Sequence, residues 1–139
     1  MLPYPAHGVK LYGNVIIASP KLIKDNPQAV KAFLSAFTKG AKEVIANPDP
    51  SIEYVKARDG IINVDLEKRR LRMAIDAVVA SPDARAEGFG AVVPGRMALM
   101  ASQVSDAFAT KTRIDPGAVW TDALLPSKAE LNILPPVKK

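Results

Sequence analysis

Proline placement constrains the fold of this 139-residue chain more than any other sequence feature, because five prolines that directly follow a capping side chain are interpreted as helix starts. A capping oxygen followed by proline is typical of a helix start, since the N–H that proline lacks would have no partner in the first turn. The pairs are Ser19-Pro20, Asn26-Pro27, Asp49-Pro50, Ser81-Pro82 and Asp115-Pro116. The sequence therefore predicts a chain built mostly from helices.

Apolar periodicity predicts where the longer helices lie. From Pro27 onward, apolar residues recur at helical spacing and are expected to face the core. They are Val30, Phe33, Leu34, Phe37, Ala41, Val44 and Ile45. Further helices are predicted from Pro50 to Asp59, from the Asn63 cap to about Ala80, and from about Pro94 to Ala109. The last of these carries Met97, Met100 and Phe108 at core spacing.

A single stretch, Leu11 to Ala18, has the aromatic and β-branched content of a buried strand. In a strand, Tyr12 and Asn14 would point to the same side, where a phenol and an amide could contact a ligand. A bulge at Gly13 and a satisfied core amide are the alternatives. A lone strand also needs a partner for its backbone N–H and C=O groups.

Composition argues against most catalytic chemistry. The chain has no cysteine and one histidine, His7, so thiol nucleophiles, cysteine-based zinc sites and two-histidine metal sites are excluded. His7 could be a general base, but an exposed loop histidine is the favoured interpretation. We therefore expect no enzyme activity, no catalytic residue, no metal ligand and no cofactor.

The basic run Lys68-Arg69-Arg70-Leu71-Arg72 and the net charge of +5 raise the question of nucleic-acid binding. Asp65 and Asp76 stand four residues from Arg69 and Arg72, a spacing that favours ion pairs along a solvated helix. No aromatic residues alternate with the basic ones, as a single-strand binding surface would require. Nucleic acid is not an expected partner.

The N-terminal residues show neither a basic region nor an apolar segment of signal-peptide type. Apolar runs such as Val15 to Ala18 are far shorter than the roughly 20 residues that span a bilayer. The expectation is a chain with no export signal and no membrane anchor of its own.

The order of several short motifs resembles the C-terminal part of the substrate-binding proteins of bacterial ABC importers. The subgroup is the NMT1/THI5-like one, with receptors for nitrate, sulfonates such as taurine, and pyrimidine precursors of thiamine. The likeness covers about residues 8 to 134. It is carried by residues 8–19, Asn26 to Phe33, Lys39-Gly40, Ala46-Asn47-Pro48, Glu87 to Gly90, Pro94-Gly95-Arg96, Val119-Trp120-Thr121 and Leu124-Leu125-Pro126.

This resemblance implies a fragment of a two-lobed α/β binding protein of type II. The expected fold is mostly α with one or two short strands. Residues 1–139 would form a single, incomplete domain, with a hinge strand at 8–18 and a helical part at 20–134. The parent would be a periplasmic receptor that closes around a small polar or anionic organic solute and delivers it to an ABC permease. Tyr12 and Asn14 would line its cleft.

Two other functions remain open at this point. One is a free-standing helical module that binds another protein. The other is an enzyme of thiamine-pyrimidine synthesis, although the cysteine-rich signature of such enzymes has no counterpart here. In the parent receptor the strand at Leu11 to Ala18 would be paired on both sides, but this chain lacks those neighbouring strands. We therefore expect a homodimer that pairs this segment with its copy.

Overall fold

The computed structural model describes residues 4–9 and 11–136, and within these residues it contains helices and no strand. A 3₁₀ turn at Tyr4–His7 precedes eight α-helices. These are α1 (Pro20–Asp25), α2 (Pro27–Ala46), α3 (Pro48–Arg58), α4 (Val64–Ala74), α5 (Pro82–Glu87), α6 (Pro94–Ala107), α7 (Pro116–Val119) and α8 (Lys128–Leu131), with a π-helical segment at Ile75–Val79 after α4.

The predicted strand at Leu11 to Ala18 is wrong, and with it the expected α/β fold class. The segment is irregular, and no backbone–backbone hydrogen bond of the described residues involves it. Its β-branched residues lie in solvent, with Ile17 88% exposed. A strand exists only when a second strand satisfies its backbone groups, and the described chain offers none. The chain is all-α over the described residues, without the hinge strand predicted at 8–18.

Four of the five predicted helix starts are confirmed. The side-chain oxygens of Ser19, Asn26, Ser81 and Asp115 each accept a backbone N–H from the first turn, at 2.9–3.2 Å. The fifth is wrong, because α3 begins two residues earlier, at Pro48. Asp49 thus lies inside the first turn, where a negative charge is favourable beside the helix N-terminus.

The chain divides into two compact units, of which the first comprises Met1–Val30 and Val92–Leu124. Its apolar centre lies on α6, where Met97 and Ala101 are buried, as predicted for Met97. Ser105 is buried on the same helix and accepts the Ile114 N–H at 3.0 Å. This bond ties the chain after α6 back onto the helix. Phe108, predicted to be core, is 77% exposed because α6 ends at Ala107.

The second unit comprises Lys31–Ala91 and Leu125–Lys139. Here α3 and α4 pack against each other, and Ile52 of α3 is buried. Arg72 of α4 forms an ion pair with Asp49 of α3 at 2.5 Å, rather than the predicted pair with Asp76. The ion-pair partner of Arg72 is therefore set by the packing of α3 against α4 and not by spacing along one helix.

The aromatic residues of α2 are not in the core, contrary to the prediction. Phe33 and Phe37 are 56% and 47% exposed, and Phe37 stacks between Phe33 and Phe89 with ring centroids 6.3 Å apart in both pairs. Helical spacing correctly placed Phe33 and Phe37 on one face. Periodicity indicates which residues share a face, but it does not reveal whether another element covers that face.

A tight corner joins the turn after α5 to α8. Gly88 has a φ of +104° and lies against Leu131, whose carbonyl accepts the Phe89 N–H at 2.9 Å. At the start of α8, Ser127 and Glu130 form a reciprocal capping box. The Ser127 hydroxyl and backbone N–H donate to the Glu130 carboxylate, which lowers the pKa of Glu130 below its usual value.

Candidate functional site

Tyr12, one of the two predicted ligand contacts, lies in the first unit against the start of α6. Its hydroxyl accepts the Val93 N–H at 2.7 Å. The guanidinium carbon of Arg96 lies 4.3 Å from the centre of the Tyr12 ring, within the range of a cation–π contact. Arg96 also donates to the Leu11 carbonyl at 2.7 Å. The ring, the hydroxyl and the preceding carbonyl are thus all held by one end of a single helix.

Arg96 was not predicted as a site residue, although it belongs to Pro94-Gly95-Arg96, one of the motifs that carry the resemblance. It lies in the first turn of α6, where the helix dipole disfavours a positive charge. The sequence itself carries this signal, because a positive charge in the first turn of a helix that starts at Pro94 needs an electron-rich partner from elsewhere in the fold. The Leu11 carbonyl and the face of the Tyr12 ring supply it.

Asn14, the other predicted contact, is exposed. Because residues 11–18 are irregular, the alternation of a strand no longer places Asn14 on the same side as Tyr12. The structure therefore gives Tyr12 a defined environment and leaves Asn14 in solvent. The assignment of both residues to a ligand site stays a prediction.

The chemistry available at Tyr12 is hydrogen bonding beside a positive charge. A phenol has one O–H donor and two lone pairs, and accepting the Val93 N–H leaves its donor available. A solute with an oxygen acceptor matches that donor. Tyr12 is half-buried, so such a solute would be only partly enclosed by these residues.

The other residues and motifs considered for a functional role do not belong to the site around Tyr12. His7 is exposed in the 3₁₀ turn, as predicted, and Phe89 and Gly90 form part of a turn. In the described part of the chain, no three His, Asp or Glu side chains gather in a group that could hold a metal ion. No described helix combines the length and the apolar character needed to cross a membrane.

Comparison with known proteins adds one finding. The family described as NMT1/THI5 like matches residues 1–51, a segment that includes Tyr12 and Asn14. The match supports the resemblance over the first part of the chain and does not extend to the rest. No curated protein and no solved structure matches the sequence significantly.

Proposed function

We propose that this chain is the C-terminal segment of a periplasmic solute-binding receptor that serves an ABC importer. It would bind a small polar or anionic organic solute and pass it to a permease, with no bond made or broken, so it would not be an enzyme. The family match over residues 1–51 carries this proposal. Tyr12 and Asn14, inside the matched segment, are the proposed solute contacts.

The exposed surface supports the idea that further protein normally covers part of this chain. Its accessible surface is 10425 Å². Two separately folded, compact units with the residue ranges given above would expose only about 8,400 Å² in total. Among the described residues, no large side chain is completely buried. The same exposed surface also favours the alternative, a free-standing module that binds another protein. Solute binding is therefore the property that distinguishes the receptor segment from the interaction module.

Solute binding by Tyr12 is tested by titrating the chain with taurine, nitrate, aliphatic sulfonates and aminopyrimidines. Because these residues enclose a solute only in part, we expect one of these solutes to bind at about 1 mM. Tyr12→Phe keeps the ring beneath Arg96 and removes the hydroxyl, so its affinity should fall about fivefold, the value of one hydrogen bond. NMR titration measures such weak binding.

Tyr54→Phe is the matched control, because Tyr54 is 79% exposed and lies in the other unit. It should bind the solute like the unaltered chain. If no solute of the panel shifts any resonance at several millimolar, the receptor proposal fails and the interaction module is favoured. A micromolar affinity for the chain alone would contradict the proposal that it is only a segment of the binding protein.

We also propose that the chain forms a homodimer through residues 11–18. Val15, Ile16 and Ile17 are 55%, 44% and 88% exposed, and in the described chain residues 11–18 form no backbone–backbone hydrogen bond. Pairing with the same segment of a second copy would satisfy these backbone groups and cover the apolar side chains.

Light scattering after size exclusion should give twice the chain mass of 14.9 kDa at tens of micromolar. Val15→Lys should convert the dimer to monomer, because it places charge in the paired segment. Val78→Lys, at a residue 66% exposed on the π-helical segment, should leave the dimer intact. A monomeric unaltered chain, or a dimer that survives Val15→Lys, would contradict this interface.

A further inference from the structure

A cavity of about 320 Å³ opens in the second unit, and none of its lining residues belongs to the proposed solute site. Its walls come from α2, α3, the end of α4, the π-helical segment, α5 and residues 134–135. Most of the lining is apolar, and only three lining residues are charged. The lining is Ile45, Pro48, Arg72, Ile75, Asp76, Ala80, Arg85, Leu134 and Pro135.

Arg85 is the distinctive residue of this cavity. Its Nη1 donates to the Pro135 carbonyl at 2.9 Å, which holds the guanidinium at the wall. Arg85 forms no ion pair with any carboxylate of the described residues, whereas Arg72 on the same wall is paired with Asp49. The cavity wall therefore carries one solvent-exposed guanidinium that is held by a hydrogen bond, has no carboxylate partner among the described residues and has further N–H groups that can donate.

Asp76 is the only acidic residue of the lining, and it limits how much negative charge the cavity can accept. It belongs to the π-helical segment, in which the Ala80 N–H reaches back five residues to the Ile75 carbonyl at 2.7 Å. Such segments are rare and frequently occur at functional sites. Here the segment supplies both Ile75 and Asp76 to the cavity wall.

We propose that this cavity binds a small organic monoanion, namely a carboxylate on a short hydrocarbon body. The carboxylate would pair with Arg85, since a guanidinium fork matches a carboxylate with two parallel hydrogen bonds. The hydrocarbon would lie against Ile45, Ile75 and Leu134. The volume is at the lower end of the range for ligand pockets, which favours a small molecule. Asp76 would repel a second negative charge.

The test is an NMR titration of the chain with hexanoate, acetate, adipate and hexylamine. Hexanoate should bind at least about tenfold more tightly than acetate, because only hexanoate fills the apolar walls. Adipate has the same length with two negative charges and should bind more weakly than hexanoate. Hexylamine should not bind. Equal affinities for hexanoate and hexylamine, or for hexanoate and acetate, would overturn the proposal.

Variants assign the binding to the cavity. Arg85→Gln should weaken hexanoate binding about tenfold or more, whereas Arg69→Gln, at an exposed arginine outside the lining, should not change it. Asp76→Asn should strengthen hexanoate binding several-fold and allow adipate to bind. That gain cannot result from damage to the fold. Unchanged affinities in both Arg85→Gln and Asp76→Asn would contradict the site, and neither variant alters Tyr12.

Discussion

Replacing Gly88 with alanine should remove about 4 kcal/mol of unfolding free energy, from backbone strain and steric overlap together. With a φ of +104° and a ψ of 161°, Gly88 occupies a conformation that is essentially restricted to glycine. An added Cβ would also lie 2.8 Å from the Leu131 Cβ, a contact that a backbone-proximal atom cannot relieve by a rotamer change. Urea unfolding followed by circular dichroism measures the loss.

Gly90→Ala is the matched control, two residues along the same turn. Gly90 also has a positive φ, +80°, but no atom lies within 4 Å of the position its Cβ would take. Only backbone strain should remain, at about 1 kcal/mol. Equal losses in the two variants would show that the contact between residue 88 and Leu131 does not hold α8 in place.

Ile52→Ala should cost about 2–5 kcal/mol, because it leaves a void beneath α3. Ile52 is 5% exposed and is the buried residue of that helix, in the packed pair of α3 and α4. The loss should appear as a lower urea midpoint with an unchanged slope, since the surface exposed on unfolding stays nearly the same.

Ile61→Ala makes the same chemical change in the loop between α3 and α4. Ile61 is 94% exposed, so its truncation should change stability by less than about 0.5 kcal/mol. Similar costs at Ile52 and Ile61 would mean that α3 does not pack through Ile52, and the arrangement of α3 against α4 would be wrong.

Local signals in the sequence predicted helix positions well. The caps at Ser19, Ser81 and Asp115 act over two or three residues, so short sequence windows contain all the information needed. The end of α4 was harder to predict from the sequence. One helix was predicted up to about Ala80, whereas the regular hydrogen-bonding pattern ends at Ala74 and changes to a π-helical one.

The candidate sites depended more on tertiary structure. Tyr12 was predicted as a contact residue, but its partner Arg96 is more than 80 positions away, and only the unfavourable position of that charge in a first turn hinted at the contact. Arg85 gave no sequence signal, because its significance lies in a carbonyl 50 residues later and in the absence of a carboxylate partner among the described residues.

The sequence by itself determined that this chain is helical, where most of its helices begin, and which residues share a helix face. These properties arise from hydrogen bonds and side-chain spacing within a few residues. Tertiary structure alone decided that residues 11–18 are not a strand, that Phe33 and Phe37 stay exposed, and that Arg72 pairs with Asp49. Each of these outcomes depends on whether a distant segment comes close enough to supply a backbone partner, a covering surface or an opposite charge, and local sequence does not encode that distance.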